Sequence, residues 1–315
     1  MRKVALELLT PDMVLGKPVY HLNNLLLKVG TGQLERYVTS LSRLGITHLY
    51  VTDSISEDII VEDTISQETR LHCKQVLFST MNQLSGQGIL QTSMLSESAD
   101  EILEEILKNP GVLVSMNEIG TSDDSTFNHS INVAIYSLLI AKQLDYPKVR
   151  AKKLAMGMLL HDIGKNGIVP VIMTQHRNLT DYEYSLLKMH PQKGADYLSD
   201  RDFIVYRDIA LGHHKSYDGR RGYPVDFDNV HSPYRPIIDL IHICDCIDAA
   251  TDYLSRNYNR VKSFATVMEE LEAEKGTEYN PVLVDLILEH DDLYRELRFL
   301  VEQKREDIYY DVYLT

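Results

Sequence analysis

The pattern of apolar and polar positions divides the chain into two unlike parts. From residue 65 onward apolar residues recur at helical spacing, which predicts helices over 65–85, 96–108, 126–145, 148–162, 181–198, 203–214, 234–255, 263–274, 281–289 and 291–305. Asn109-Pro110-Gly111 and Gly120 to Asp124 break the early ones. Before residue 65 the pattern changes. Leu25 to Val29 reads as a short strand closed by Gly30-Thr31-Gly32, and Thr47 to Thr52 reads as another. Between them, Leu34, Tyr37, Val38, Leu41 and Leu44 mark a helix over Gln33 to Leu44, with Gly45 placed to cap it. The expected fold is therefore mainly α: a small α/β module over residues 1–64, with Ser54 to Asp63 as an acidic link, then a helical domain over residues 65–315. Repeats and low-complexity tracts are absent.

Composition narrows the functional classes. At 315 residues and 44% hydrophobic, the chain can bury a sizeable core. A formal net charge of −14 disfavours a broad nucleic-acid or anionic-membrane surface, so a phosphate ligand needs cations gathered locally. The three cysteines, Cys73, Cys244 and Cys246, suit reduced thiols, and Cys244-x-Cys246 reads as small apolar residues in a buried helix before it reads as a metal pair. No signal peptide is indicated, and the most hydrophobic stretch, Val133 to Ala141, is too short to span a bilayer. A cytoplasmic location with no membrane segment is expected.

The chemistry gathers at His161-Asp162, inside Leu159-Leu160-His161-Asp162-Ile163-Gly164-Lys165. An adjacent imidazole and carboxylate can bind two metals, the carboxylate bridging them, which points to metal-assisted hydrolysis. Taken alone, such a pair is more often a satisfied hydrogen-bonded couple. His190-Pro191 follows a helix, and His213-His214 closes another. Adjacent helical histidines point about 100° apart, so both reach one site only at a helix end. Asp245 and Asp248 lie three apart on one face of an apolar helix, where ionised carboxylates need a partner or a metal; one can ligate while the other orients. His242, on the same face, reads as core or support. His21, His48, His72, His176, His231 and His290 lack a partner pattern and read as structural. Each signal is weak by itself, but their order along successive helices is not.

In that order the chain resembles the HD superfamily of metal-dependent phosphohydrolases, and within it the HD-GYP family of cyclic di-GMP phosphodiesterases. The match runs from His161-Asp162-Ile163-Gly164-Lys165 through His190-Pro191 with Gly194, and His213-His214 followed by Tyr217-Asp218-Gly219 and Gly222-Tyr223-Pro224. It continues to Asp245 with Asp248-Ala249, covers roughly residues 110–290, and includes Asn128-His129-Ser130 as the family's first helix. The resemblance implies an all-helical HD bundle. It also implies two divalent metal ions, typically iron or manganese, held by His161, Asp162, His190, His213, His214 and Asp245. A bridging hydroxide would attack phosphorus, with Asp162 and Lys165 catalytic and Lys165 on the scissile phosphate. Cyclic di-GMP would be opened to linear pGpG and onward to GMP. Tyr223, with Arg220 and Arg221 in its loop and Arg256 and Arg260 further on, are candidate substrate contacts, while His129 and Asp248 are candidates for a further metal or for supporting the ligands. A homodimer is a partner state such helical domains often adopt.

Four departures from the family pattern bear on this. Lys215 stands where the family has glutamate after His-His, reversing a charge beside the ligands. The loop Asp218-Gly219-Arg220-Arg221-Gly222-Tyr223-Pro224 is one residue longer; its arginines either grip phosphate or belong to a solvated turn. Ser125 occupies the position of a glutamate found in trinuclear members, which argues against a third metal and leaves His129 spare; Ser125 or Thr126 reads as that helix's N-cap. The family's arginine-proline-tyrosine segment appears as Arg256-Asn257-Tyr258-Asn259-Arg260, without the proline. These changes keep two alternatives open: a phosphohydrolase for another nucleotide or phosphoester, and a catalytically weak module that binds a nucleotide or partner. The closing Tyr309-Tyr310-Asp311-Val312-Tyr313-Leu314 is expected to pack back on the domain.

Overall fold

The computed structural model describes residues 1–21, 24–44, 46, 48–57, 66–87, 92–108, 125–168, 179–252 and 261–303. Gly45, both early helix breaks, His176, the later part of the acidic link, Arg256, Arg260 and the tyrosine-rich end lie outside these residues.

Short strands build the N-terminal part: β1 (Arg2–Ala5), β2 (Val14–Leu15), β3 (Val19–His21), β4 (Asn24–Leu27) and β5 (His48–Thr52). β1 and β2 pair antiparallel with either side of β5, with Val4 opposite Leu49 and Leu15 opposite Val51, while β3 and β4 form a separate hairpin. The strands expected over 25–29 and 47–52 are present as β4, which ends at Leu27, and β5, but β1, β2 and β3 are not visible in the local pattern. They are too short for alternation to show, and β1 finds its partner far along the chain. A 3-10 turn over Leu34–Tyr37 runs into helix α1 (Val38–Arg43). Val4, Leu15, Val19, Leu34, Leu41, Leu49 and Val51 close a small core. The Arg2 guanidinium holds the buried Asp53 carboxylate through Nε and Nη2 at 2.9 and 2.8 Å.

Helices dominate the remaining described residues: α2 (Gln67–Gln87), α3 (Thr92–Lys108), α4 (Ser125–Gln143), α5 (Lys148–Leu160), α6 (Asp181–Leu187), α7 (His190–Tyr197), α8 (Ile204–Gly212), α9 (Arg235–Thr251), α10 (Phe264–Ala273), α11 (Pro281–Glu289) and α12 (Asp291–Gln303). Every residue from Ile131 to Ala141 of α4 and from Ile237 to Asp245 of α9 is buried; both stretches are largely apolar, and their few polar residues are buried with them at the centre of the bundle. α4 packs on α5 and α9, and α8 packs on α5, α7 and α9. A second hydrophobic cluster, from Cys73 to Val301, shares no residue with the N-terminal one. Among the described residues no helix is long and apolar enough to cross a membrane.

Two expected helices differ in extent. The one over 181–198 is two, because Pro191 has no N–H to give to Leu187, and the freed Leu187 carbonyl takes a proton from His190 Nδ1 at 2.7 Å instead. The one over 234–255 stops at Thr251, whose hydroxyl turns back to the Ile247 carbonyl at 2.7 Å while Asp252 is extended.

Two glycines bring the site together. After α5, a 3-10 turn over Ile163–Gly167 lies so close to α7 that a Cβ on Gly164 would stand 2.0 Å from the His190 carbonyl oxygen and 2.5 Å from the Gly194 nitrogen. Gly222, at φ +92°, lies against the end of α8, where a Cβ would stand 1.9 Å from the His214 carbonyl oxygen.

Candidate metal centre

Three histidines are set by one local device. His161, His190 and His213 stand at helix ends, and each donates from Nδ1 to the carbonyl three residues earlier, Met158, Leu187 and Ala210, at 2.6, 2.7 and 2.9 Å. A carbonyl only accepts, so Nδ1 carries the proton and Nε2 is left to face inward. The three rings are buried, and His190 Nε2 lies 3.0 Å from His213 Nε2. Two nitrogen lone pairs held this close repel each other unless a cation sits between them.

Asp162 stands between two groups of rings. Its Oδ2 is 3.3 Å from His161 Nε2, 3.5 Å from His129 Nε2, and paired with Lys165 Nζ. Its Oδ1 is 3.2 Å from His190 Nε2 and 3.7 Å from His213 Nε2, and has no hydrogen-bond partner although fully buried. The donor atoms of His129, His161 and Asp162 lie within 4.8 Å of one another, as do those of His190, His213 and His214. Asp245 closes the far side, with Oδ1 3.0 Å from His129 Nε2 and Oδ2 3.5 Å from His214 Nδ1. Because the turn after α8 carries both His213 and His214, neighbours in sequence reach the same cluster. An orphaned carboxylate oxygen among imidazole lone pairs is the donor set a divalent cation fits.

Electrostatics agree. Burial, helped by the neighbouring imidazoles, holds the pKa of His213 and His214 well below the ordinary 6.5, so both are neutral and able to donate. Burial alone would raise the carboxyls, but Lys165 and His161 hold Asp162, and His129 and His214 hold Asp245, well below the usual range. Burial likewise opposes a charge on His129, yet its bonds to Asp245 and Asp248 raise it to about 9.

His129, a candidate for a further metal or for supporting the ligands, lies inside the cluster. Asp248 orients it, accepting from Nδ1 at 2.7 Å, while Asn132, three residues after His129 on α4, donates to the other Asp248 oxygen at 3.1 Å. Asn132 was not among the expected site residues, and its spacing from His129 was the signal that could have found it. His242 is a support: it donates to the His213 carbonyl at 2.7 Å and meets Glu278 at 3.1 Å.

The rim is set by the loop. Tyr223 packs against His214, the rings tilted by 35° with centroids 4.6 Å apart, and Lys188, absent from the expected set, lies 5.7 Å from the Tyr223 ring. Lys215 is buried, with its ammonium 3.4 Å from the Val225 carbonyl, so the reversed charge is spent beneath the loop. The two loop arginines have partners within the protein. Arg221 pairs with Glu274 at 2.6 Å and Glu278 at 3.3 Å, and Arg220 is exposed, its backbone N–H bound to Asp218. Cys244 and Cys246 form no disulfide and take no part in either cluster.

Comparison with known proteins bears on the same segment. Residues 126–257 match the model of the HD domain. The chain is 32% identical over 198 residues to a cyclic di-GMP phosphodiesterase of Pseudomonas aeruginosa, covering 62% of this chain and 46% of that protein. It is 30% identical over 180 residues to a cyclic di-GMP phosphodiesterase of Thermotoga maritima (55% and 48%), and 29% over 185 residues to a 3'3'-cGAMP-specific phosphodiesterase of Vibrio cholerae (58% and 34%). The chain therefore spans less than half the length of these relatives. Among solved structures, an HDG"Y"P protein of Bdellovibrio bacteriovorus superposes with a TM-score of 0.55 at 16% identity, over 94% of this chain and 98% of that one, a likeness of fold.

Proposed function

We propose that this chain is a member of the HD-GYP family of the HD superfamily, residues 126–257 matching the HD domain, and that it is a metal-dependent phosphodiesterase that opens cyclic di-GMP. The observation that carries the proposal is Asp162, whose two oxygens face two separate histidine groups. His161, Asp162, Asp245 and His129 would hold one divalent ion, and His190, His213, His214 and Asp162 a second. Imidazole with carboxylate and no thiolate suits iron or manganese. Bound there, the ions would make water a competent nucleophile near neutral pH and offset the charge of the phosphodiester.

The chain's own residues do the rest. Lys165, half-buried beside Asp162, carries the cation that meets the scissile phosphate and the charge developing on it. Tyr223 offers a ring face to a base, and Lys188 places an ammonium on the same rim. Water adds to phosphorus, the ring-closing ester oxygen leaves, and linear pGpG results; a second cleavage gives GMP. The relative that acts on 3'3'-cGAMP, together with loop arginines committed to a turn and to acids, favours as a second reading another cyclic dinucleotide. The separate N-terminal core supports reading residues 1–64 as a regulatory module and 65–315 as the catalytic domain.

Elemental analysis and turnover on one preparation test the proposal. We expect about two metal ions per chain, as a two-metal site requires, and conversion of cyclic di-GMP, both lost in His161→Ala. Intact cyclic di-GMP, with metal content unchanged by His161→Ala, would overturn it. 3'3'-cGAMP run alongside decides between the two substrates.

A further inference from the structure

Helix α2 lies outside the matched HD domain, yet it reaches the residues that support the metal centre. Arg70 Nη1 donates to Asn132 Oδ1 at 3.1 Å. Asn132 Nδ2 donates to Asp248 Oδ1 at 3.1 Å, and Asp248 Oδ2 accepts from His129 Nδ1 at 2.7 Å. All four side chains are buried, at 5, 7, 0 and 8% exposure in that order, so water does not readily replace a missing link. Further along the same helix, the Met81 carbonyl accepts from Asn166 Nδ2 at 2.7 Å, and Asn166 follows Lys165. α2 thus touches supports on two sides of the centre, about 16 Å apart along its axis.

The direction of each bond matters. A guanidinium only donates, so Arg70 decides which way the Asn132 amide points and turns its NH2 toward Asp248. An amide free to flip would present its oxygen to the Asp248 carboxylate, and the two would repel. Asp248 in turn fixes the His129 proton on Nδ1 and aims Nε2 at Asp245, 3.0 Å away. We propose that Arg70 is a positioning residue of the metal centre, acting through Asn132 and Asp248 on the His129 ring. The proposal rests on the reading that the centre binds divalent cations. It makes α2, the first helix after the N-terminal module, part of the machinery.

The test is Mn2+ titration by calorimetry on the full chain and on Arg70→Met, Asp248→Asn and the double variant. Arg70→Met keeps the buried stem and removes the donor, and should weaken Mn2+ binding about tenfold, the usual range for partners that orient a ligand. Because both residues act in one relay, the double variant should lose no more than the worse single one. Losses that multiply, or a lowered melting temperature with Mn2+ affinity unchanged, would show a structural role only and overturn the proposal. Should Arg70→Met fail to fold, Asn132→Ala cuts the middle link and should show the same tenfold loss, about the same range; unchanged affinity there overturns the proposal equally. No nucleotide enters the measurement. An unmodified chain that binds no Mn2+ counts against the metal reading itself, whereas unaltered binding in the variants counts against Arg70 alone.

Discussion

His161, His190 and His213 owe their inward-facing Nε2 atoms to a backbone carbonyl one turn back, a support that costs no further side chain. The consequence for pH can be worked out for the metal-stripped protein. His213 and His214 titrate well below 6.5 in the fold, so the unfolded chain takes up their protons first; their contribution is complete above pH 6.5 and is lost as pH falls below it. His129 has the opposite sign: raised to about 9, it contributes fully below 6.5 and the contribution is lost as pH rises through 9. Thermal melts across pH should therefore show stability declining on both sides of about 6.5. The alkaline decline belongs to His129, and His129→Gln should remove it; an identical decline in that variant would refute the assignment. The histidines and aspartates themselves were legible in the sequence. The division between Asp245, which faces the cluster, and Asp248, which orients His129, came from the resemblance and not from helix spacing, since residues on one helix face differ only in what the neighbouring helix presents.

At the scale of elements, the turn after α5 and the start of α7 behave as one unit. Helices end near His161 and His213 for reasons visible in the sequence, and Pro191 marks a boundary that the apolar pattern ran through. What the pattern could not show is how closely the turn approaches α7. Gly164→Ala places a methyl against the His190 carbonyl and must push the two apart, separating Asp162 from His190. Chemical denaturation should report a loss of about 1–3 kcal/mol, the range for overpacking, and metal content should drop with it. Gly32→Ala, where a Cβ meets nothing within 4 Å, is the control and should change stability by no more than about 0.5 kcal/mol. Equal effects at both positions would remove close approach as the explanation.

For the molecule as a whole, two hydrophobic clusters and one acidic surface set the terms. With a net charge of −14, an anionic ligand would approach an adverse field, which the lysines at the rim and any cations bound at the centre would offset locally. The separate N-terminal core predicts separable stability. Leu49 is fully buried there, and Leu49→Ala should cost that part about 2–5 kcal/mol while metal content stays at its original value. Loss of metal along with the N-terminal fold would mean that the two cores act as one.

The helices follow from local pattern, because a periodic apolar face specifies one locally, and the candidate ligands stood out because few residue types bind metal and their order was distinctive. The sequence also determined where helices end at His213-His214, which lets adjacent residues share a site. Long-range packing, by contrast, sets the strands of the N-terminal sheet, whose pairing is between distant residues, and brings His129 inside the cluster. It alone assigned Arg221 to Glu274 and Lys215 to the Val225 carbonyl. A charged side chain on a loop has many partners within its reach, and which one it takes depends on what other elements bring near it, something no local pattern records.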